Sequence, residues 1–351
     1  MTSASLHAAL TWQSKTCASM GAPLTAEILR LMVDDPVVSA AFHPMFAPIS
    51  DQTPRALLTA AYPLRVLGAL HFLVLSGRAP RLAALYALGG GADLAGALAE
   101  ASRIDPRVID RFMASPPQTN EVRRSLALFG GFLTVAAQTG LPLRCLELGA
   151  SAGLNANWDR YDYDLGALGR WGAPTSPVKL SGDWTGGAPP LDAVVQVQSR
   201  AACDQNPVDI SDDGAAARLL AYIWPDQPER LARARAAIAL ARETGVTVEK
   251  ADAADWLSRH GHPQPGVATV VYHSSFIQYP PPDIRSAILS AISKAGAGAW
   301  AEAPFAWLRK EPAEGGLLDE VRLTLWPGGE DRLLATAHAH GANVQWLAPA
   351  H

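Results

Sequence analysis

One short stretch sets the first chemical question. Residues 144–155 read RCLELGASAGLN. The run Leu143 to Leu148 predicts a short buried strand, Gly149 to Gly153 a small-residue turn, and the following residues the start of a helix. A strand, a glycine turn and a helix bring backbone N–H groups close to a ligand, because glycine lacks the Cβ that would keep it away. A dinucleotide fingerprint, Gly-x-Gly-x-x-Gly, fits poorly, since Ser151 and Leu154 take its second and third glycine positions. A nucleophile elbow, Gly-x-Ser-x-Gly, fits literally and would make Ser151 a hydrolase nucleophile. Asp252 and His338 follow in the chain order that such a triad needs. A plain strand-to-helix turn that binds nothing is the third possibility. Further candidates lie downstream: Asp204, Asp252, His273 and Ser274 each end a β-rich run. His338 and His340 would share one face of a strand, but no further metal ligand stands within motif distance.

The elements that must position these residues begin near residue 141. Val194 to Gln198, Thr247 to Lys250, Val267 to Tyr272 and Trp300 to Trp307 predict strands, with helices between them. Glu320 to Trp326 and Arg332 to Ala339 alternate around Pro327, Gly328 and Gly329, which predicts a closing hairpin. Alternating strands and helices predict a mainly parallel, doubly wound α/β sheet. Ligands of such sheets sit at the carboxyl ends of the strands, where an acid after the second strand holds a ribose. Asp204 is that acid, with Asp162 or Asp164 as replacements. Tyr161 to Leu165 and Val178 to Asp183 predict an inserted hairpin.

Before residue 140 the pattern is helical. Residues 55–75 are rich in Ala and Leu, strong helix formers, with Pro63 set to kink or split them. Asp105 before Pro106 predicts a capped helix, and Asp226 to Glu229 has capping-box spacing. Thr119 or Asn120 is expected to cap the helix that runs to Thr139, and the polar loop at 117–123 stands where it could reach the ligand turn. The expected division is a helical domain at residues 1–140 and a sheet domain at 141–351.

Composition narrows the class. The 351 residues carry a net charge of -4, with no basic footprint for nucleic acid. Cys17, Cys145 and Cys203 form no metal spacing and no disulfide framework. The opening residues lack a secretory pattern, and the longest apolar stretch is too short for a membrane span of ~20 residues. A soluble cytoplasmic protein is expected, with neither nucleic acid nor membrane as partner.

Two resemblances extend the reading. Glu147, Leu148, Gly149, Ser151 and Gly153 resemble the first motif of class I S-adenosylmethionine-dependent methyltransferases, with Ser151 for the middle glycine. Residues 251–257, ADAADWL, resemble the third motif of that class, whose acid, here Asp252, accepts from the adenine amine. The resemblance implies a Rossmann-like sheet ending in an antiparallel hairpin and S-adenosylmethionine as cofactor. It implies a cofactor site of Glu147, Gly149, Ser151, Gly153, Asp204 and Asp252, and acceptor chemistry at His273 and Ser274 with a small molecule as acceptor. The whole chain also resembles a bacterial family of uncharacterised proteins that join a helical N-terminal region to a methyltransferase-like half. The matching phrases are PQTNEVR at 117–123, LELGASAGLN at 146–155, YIWPDQ at 222–227, WPGG at 326–329 and LATAH at 334–338. That family implies no known reaction. A non-catalytic module for a nucleoside-type ligand is the alternative to both enzyme readings.

Overall fold

A helix is only as long as its caps and prolines allow, and the first third of the chain is built on that rule. The computed structural model describes residues 3–349. Asp35 accepts from the N–H groups of Val37 and Val38 and starts the helix Pro36–Phe46; Thr53 does the same for Pro54–Thr59 and Asp105 for Pro106–Met113. The Ala/Leu stretch at 55–75 is split at Pro63, which stands in the first turn of the helix Tyr62–Leu75.

The chain divides into two units, and neither is one continuous stretch. The first holds the residues up to Thr119 together with Ser211–Ala232. Its core joins Leu10, Ile28, Phe42 and Leu70 to Ala221 and Tyr222. Asp226 does not cap the helix that follows it. Its carboxylate accepts from Leu24 N at 2.7 Å and Thr25 N at 2.9 Å and so caps the helix Pro23–Asp34. The second unit holds Asn120–Ile210 and the residues from Arg233 onwards. A boundary near 140 would therefore cut off the helix Arg124–Thr139, which packs on the sheet of the second unit.

The second unit is a mixed α/β structure. Its strands are β1 (Leu143–Leu148), β2 (Asp162–Asp164), β3 (Arg170–Gly172), β4 (Lys179–Ser181), β5 (Asp183–Gly186), β6 (Val197–Asp204), β7 (Glu249–Lys250), β8 (Ala268–Ser274), β9 (Phe305–Pro312), β10 (Asp319–Trp326), β11 (Glu330–Ala337) and β12 (Asn343–Trp346). The large sheet has the order β5-β12-β11-β10-β9-β8-β1-β6-β7. From β7 to β9 neighbours run parallel; β10, β11 and β12 add antiparallel pairings. The expected hairpin at 320–339 is β10 with β11. The expected hairpin at 161–183 is not formed: β2 pairs antiparallel with β3 but parallel with β4, in a separate small sheet. A parallel register needs a return of chain between the two strands, and residues 165–178 supply it.

Both faces of the large sheet are covered, so β1 and β8 are almost wholly buried. Side chains of successive residues point to opposite faces. Leu146, Leu148, Val271 and Phe305 pack with Trp256, Leu257, Ile288 and Ile292 on one face. On the other, Phe132 of the helix Arg124–Thr139 stacks on Trp158 at 4.0 Å and meets the ring of Tyr272 edge-on. That parity decides which site residues can meet. All three cysteines are buried and free, and burial pushes the thiols of Cys145 and Cys203 up to about 12.

Candidate functional site

Every second residue of the turn after β1 has left-handed backbone. Gly149, Ser151 and Gly153 have φ of 63°, 55° and 69°. The glycines adopt this freely, but a serine at positive φ is strained and must be held. Two bonds hold it. Ser151 N donates to Asp204 Oδ2 at 2.8 Å, and Val208 N donates to Ser151 O at 3.0 Å. The other oxygen of Asp204 accepts from Asn206 N at 2.8 Å. Asp204 thus spends both oxygens inside the chain, and the Ser151 N–H that the motif offers to a ligand is already taken. Ser151 Oγ is buried and has no hydrogen-bond partner.

The two glycines are needed for close packing. A Cβ on Gly149 would lie 2.2 Å from the ring of Phe276, and one on Gly153 would lie 2.7 Å from Val246. After the turn the chain forms a 3-10 helix, Leu154–Arg160, in place of the expected α-helix. The N–H of Leu154 donates to the side chain of Asn120 at 2.9 Å. The helix before β1 starts only at Arg124, so Asn120 caps nothing there. Its side chain reaches across to the turn, and Ser125 Oγ likewise donates to Asn155 Oδ1 at 2.7 Å.

Glu147 faces the aromatic side of the sheet. It is buried beside its register partner Tyr272, whose hydroxyl donates to Glu147 Oε2 at 3.0 Å. Burial pushes its pKa up to about 8; the Tyr272 hydrogen bond opposes this, the charge of Asp204 adds to it and that of Arg124 subtracts. At neutral pH Glu147 is mostly a neutral acid. Arg124 reaches the end of β8, where its Nη1 donates to Ser274 O at 3.4 Å.

His273 points to the other face and is fully enclosed. Trp307 Nε1 donates to its Nε2 at 3.0 Å, and its Nδ1 lies 2.6 Å from Glu311 Oε1. An indole N–H only donates, so Nε2 carries the lone pair and the proton is on Nδ1. Both nitrogens are in use, which leaves His273 no lone pair for a substrate. Glu311 also accepts from Phe276 N at 2.9 Å. Burial would raise the carboxyl of Glu311, but the hydrogen bond from His273 and the N–H groups of Phe276 and Ile277 hold it below the ordinary value. This network anchors the loop after β8. Ser274 is the last residue of β8, and Ser275, which begins the loop, is bent to φ 47°. Two strained serines, Ser151 and Ser275, therefore stand at the carboxyl ends of the adjacent parallel strands β1 and β8.

The remaining candidates lie as follows. Asp252 caps the helix Ala253–His260 through Oδ1, which accepts from Ala254 N at 2.9 Å and Asp255 N at 3.2 Å. Asp162 and Asp164 sit in the small sheet, both paired with Arg170. The ring of His338 meets that of His340 edge-on at 5.6 Å, and no group of three metal-ligating side chains forms among the described residues. No hydrogen bond joins Ser151, Asp252 and His338: the first has no side-chain partner, the second caps a helix, and the third accepts from His340 N. The cleft of the helical unit, lined by Leu64, Gly68, His71, Tyr86, Tyr222 and Trp224, contains none of the candidates. Arg124, Glu311, Phe276 and Trp307 carry no motif, and only the polar loop at 117–123 signalled that a segment would come to the turn.

A mainly parallel α/β sheet whose strand order reverses at β1, with a glycine turn at the reversal, is an open α/β architecture. The chain is a member of the bacterial family described as "Uncharacterized protein conserved in bacteria (DUF2332)", whose model matches residues 7–346 and takes in all five phrases quoted above. No curated protein and no solved structure matches the chain. No helix among the described residues is long and apolar enough to cross a membrane.

Proposed function

We propose that the sheet unit is a Rossmann-like, S-adenosylmethionine-dependent methyltransferase acting on a small-molecule acceptor. The observation that carries the reading is the reversal of strand order at β1 and β8, the place where such sheets open a crevice for a ligand. There the acid-glycine turn, two strained serines and two buried polar atoms without partners, Ser151 Oγ and Arg124 Nε, lie at the reversal of strand order. The order β7-β6-β1-β8-β9 is that of a dinucleotide-type sheet, and the antiparallel hairpin of β10 and β11 extends it towards β12 and β5. Orphaned polar atoms are what a bound polar ligand would satisfy. In this reading Gly149 to Gly153 hold the cofactor's amino-acid end, and Asp252 faces its adenine with the oxygen not used in capping. Asp204 braces the turn in place of gripping the ribose. S-adenosylmethionine supplies a methyl group already activated on sulfur. The protein has to align an acceptor and exclude water. Ser274, at the end of β8, and Tyr279, in the loop after it, are the acceptor-side residues, and His273 positions that loop. Phe276 has to turn aside before any ligand touches Gly149.

One observation favours a serine hydrolase, the left-handed Ser151 on a tight strand turn. It is the weaker reading because no base is bonded to Ser151 Oγ. A non-catalytic nucleoside-binding module is favoured by Phe276 lying against Gly149. The test is thermal stabilisation with S-adenosylmethionine, S-adenosylhomocysteine, NAD and ATP side by side, with Gly149→Val as control. A ligand at 100 times its Kd adds ~2.7 kcal/mol. Stabilisation by the first two alone, lost in Gly149→Val, is expected. Silence from all four removes the methyltransferase, and fluorophosphonate labelling of Ser151 installs the hydrolase.

A further inference from the structure

Arg124 is a half-buried cation without an anion, and its Nε is buried. It is the first residue of the helix Arg124–Thr139, and its side chain runs to the end of β8. Its one hydrogen bond, to Ser274 O, is 3.4 Å long and so weak. Its Nε is buried with no partner, and no ion pair holds it among the described residues. Carboxyl groups are not lacking nearby: Glu121, Glu147, Glu311 and Asp319 all act on its charge. Each is committed elsewhere. Glu121 accepts from Arg123 N, Glu147 from the Tyr272 hydroxyl, Glu311 from His273 and Phe276 N, and Asp319 from the fully buried Lys310. Burial outweighs their field and pulls Arg124 below its ordinary value. Leaving a guanidinium in such a place is costly unless something planar and negative meets it.

The position of the group says where that partner comes from. The chain on either side of Arg124 is pinned to the glycine turn, by Asn120 at Leu154 N and by Ser125 at Asn155. Its guanidinium therefore stands between the turn and the end of β8, on the same face as Glu147. A guanidinium fork grips a carboxylate with two parallel bonds. A dianionic phosphate suits the place less well. It would sit among Glu311, Asp319 and Glu121, and the Ser151 N–H that would help to hold it is taken by Asp204.

We infer that Arg124 is the anchor for a carboxylate group on the small molecule bound in this crevice. The inference rests on reading the crevice as the ligand site, and not on methyl transfer. Two sources share the chemistry: the amino-acid end of S-adenosylmethionine, or a carboxylate on the acceptor.

The experiment compares wild type, Arg124→Met and Arg124→Lys. Calorimetric titrations use S-adenosylhomocysteine and methylthioadenosine, which lacks the carboxylate; melting curves use acetate, malonate, succinate and inorganic phosphate. If the cofactor supplies the carboxylate, Arg124→Met weakens S-adenosylhomocysteine about 10- to 100-fold and leaves methylthioadenosine unchanged. If the acceptor supplies it, both nucleosides bind the variant as before, while the organic acids stabilise wild type alone. Stabilisation by the acids, with no nucleoside binding by wild type, removes the methyltransferase and keeps the anchor. Arg124→Lys keeps the charge and loses the fork, so a partial loss in the same arm supports the assignment even if Arg124→Met does not fold. Equal responses in all three proteins, a response to phosphate alone, or no response of wild type in any arm overturns it.

Discussion

At the scale of single residues, Glu147 makes folding depend on pH in a direction opposite to an ordinary carboxylate. Its folded pKa of about 8 stands above the ordinary value of 4.5. Between those values the folded chain holds a proton that the unfolded chain has released, so stability falls as pH rises from about 4.5 to about 8. Below 4.5 both states are protonated at this site and the penalty is absent. Glu147→Gln keeps an acceptor for Tyr272 and removes the titration. Denaturant unfolding from pH 5 to 9 should show the variant flatter than wild type and more stable at the alkaline end. Parallel curves would mean that Glu147 is ionised in the fold. Asp204 is a contrasting case, because its charge is used at once by two N–H groups. Asp204→Ala should cost about 1–3 kcal/mol in the same assay, and Asp204→Asn less. A loss below ~0.5 kcal/mol would mean that the turn holds its left-handed serine without help.

At the scale of elements, the site depends on two loops pressing on each other. The turn after β1 has no room for a side chain at Gly149 because the loop after β8 places Phe276 there. Glu311 holds that loop by the Phe276 N–H. Gly149→Ala meets two costs, the left-handed φ and the ring contact. Phe276→Ala removes only the second. A double-mutant cycle should therefore show coupling, with Gly149→Ala less harmful by about 1–3 kcal/mol when Phe276 is already Ala. Additive losses would place Phe276 elsewhere in solution. Phe276→Ala should also raise affinity for whichever ligand wild type binds, since nothing then has to turn aside.

At the scale of the molecule, residues 211–232 leave the sheet unit's sequence and complete the helical core. The structural reason is that Asp226 caps the helix Pro23–Asp34 while Ala221 and Tyr222 fill the core. A fragment of residues 1–140 lacks all three groups. It should melt at a higher temperature when a peptide of residues 211–232 is added, and the Asp226→Ala peptide should restore less, by about 0.5–2 kcal/mol for one cap. No change with either peptide would show that the helices hold together without this segment.

Local chemistry was legible along the chain wherever neighbours in sequence carry the information. The cap at Asp105, the break at Pro63, the β1 turn and the β10–β11 hairpin all rest on contacts within a few residues, so composition and spacing sufficed. The partners of Asp226, Asn120, His273 and Arg124 could not be read this way. Asp226 meets a helix 201 residues away, and His273 meets Glu311 from a strand 38 residues on. Whether a histidine serves as a base or as a buried strut depends on which face its strand turns inward and what the next strand sets beside it. Ser151 shows the same limit within the best motif. Its spacing suits a nucleophile and a cofactor turn equally, and only folding brings Asp204 to its N–H and leaves its Oγ without a base.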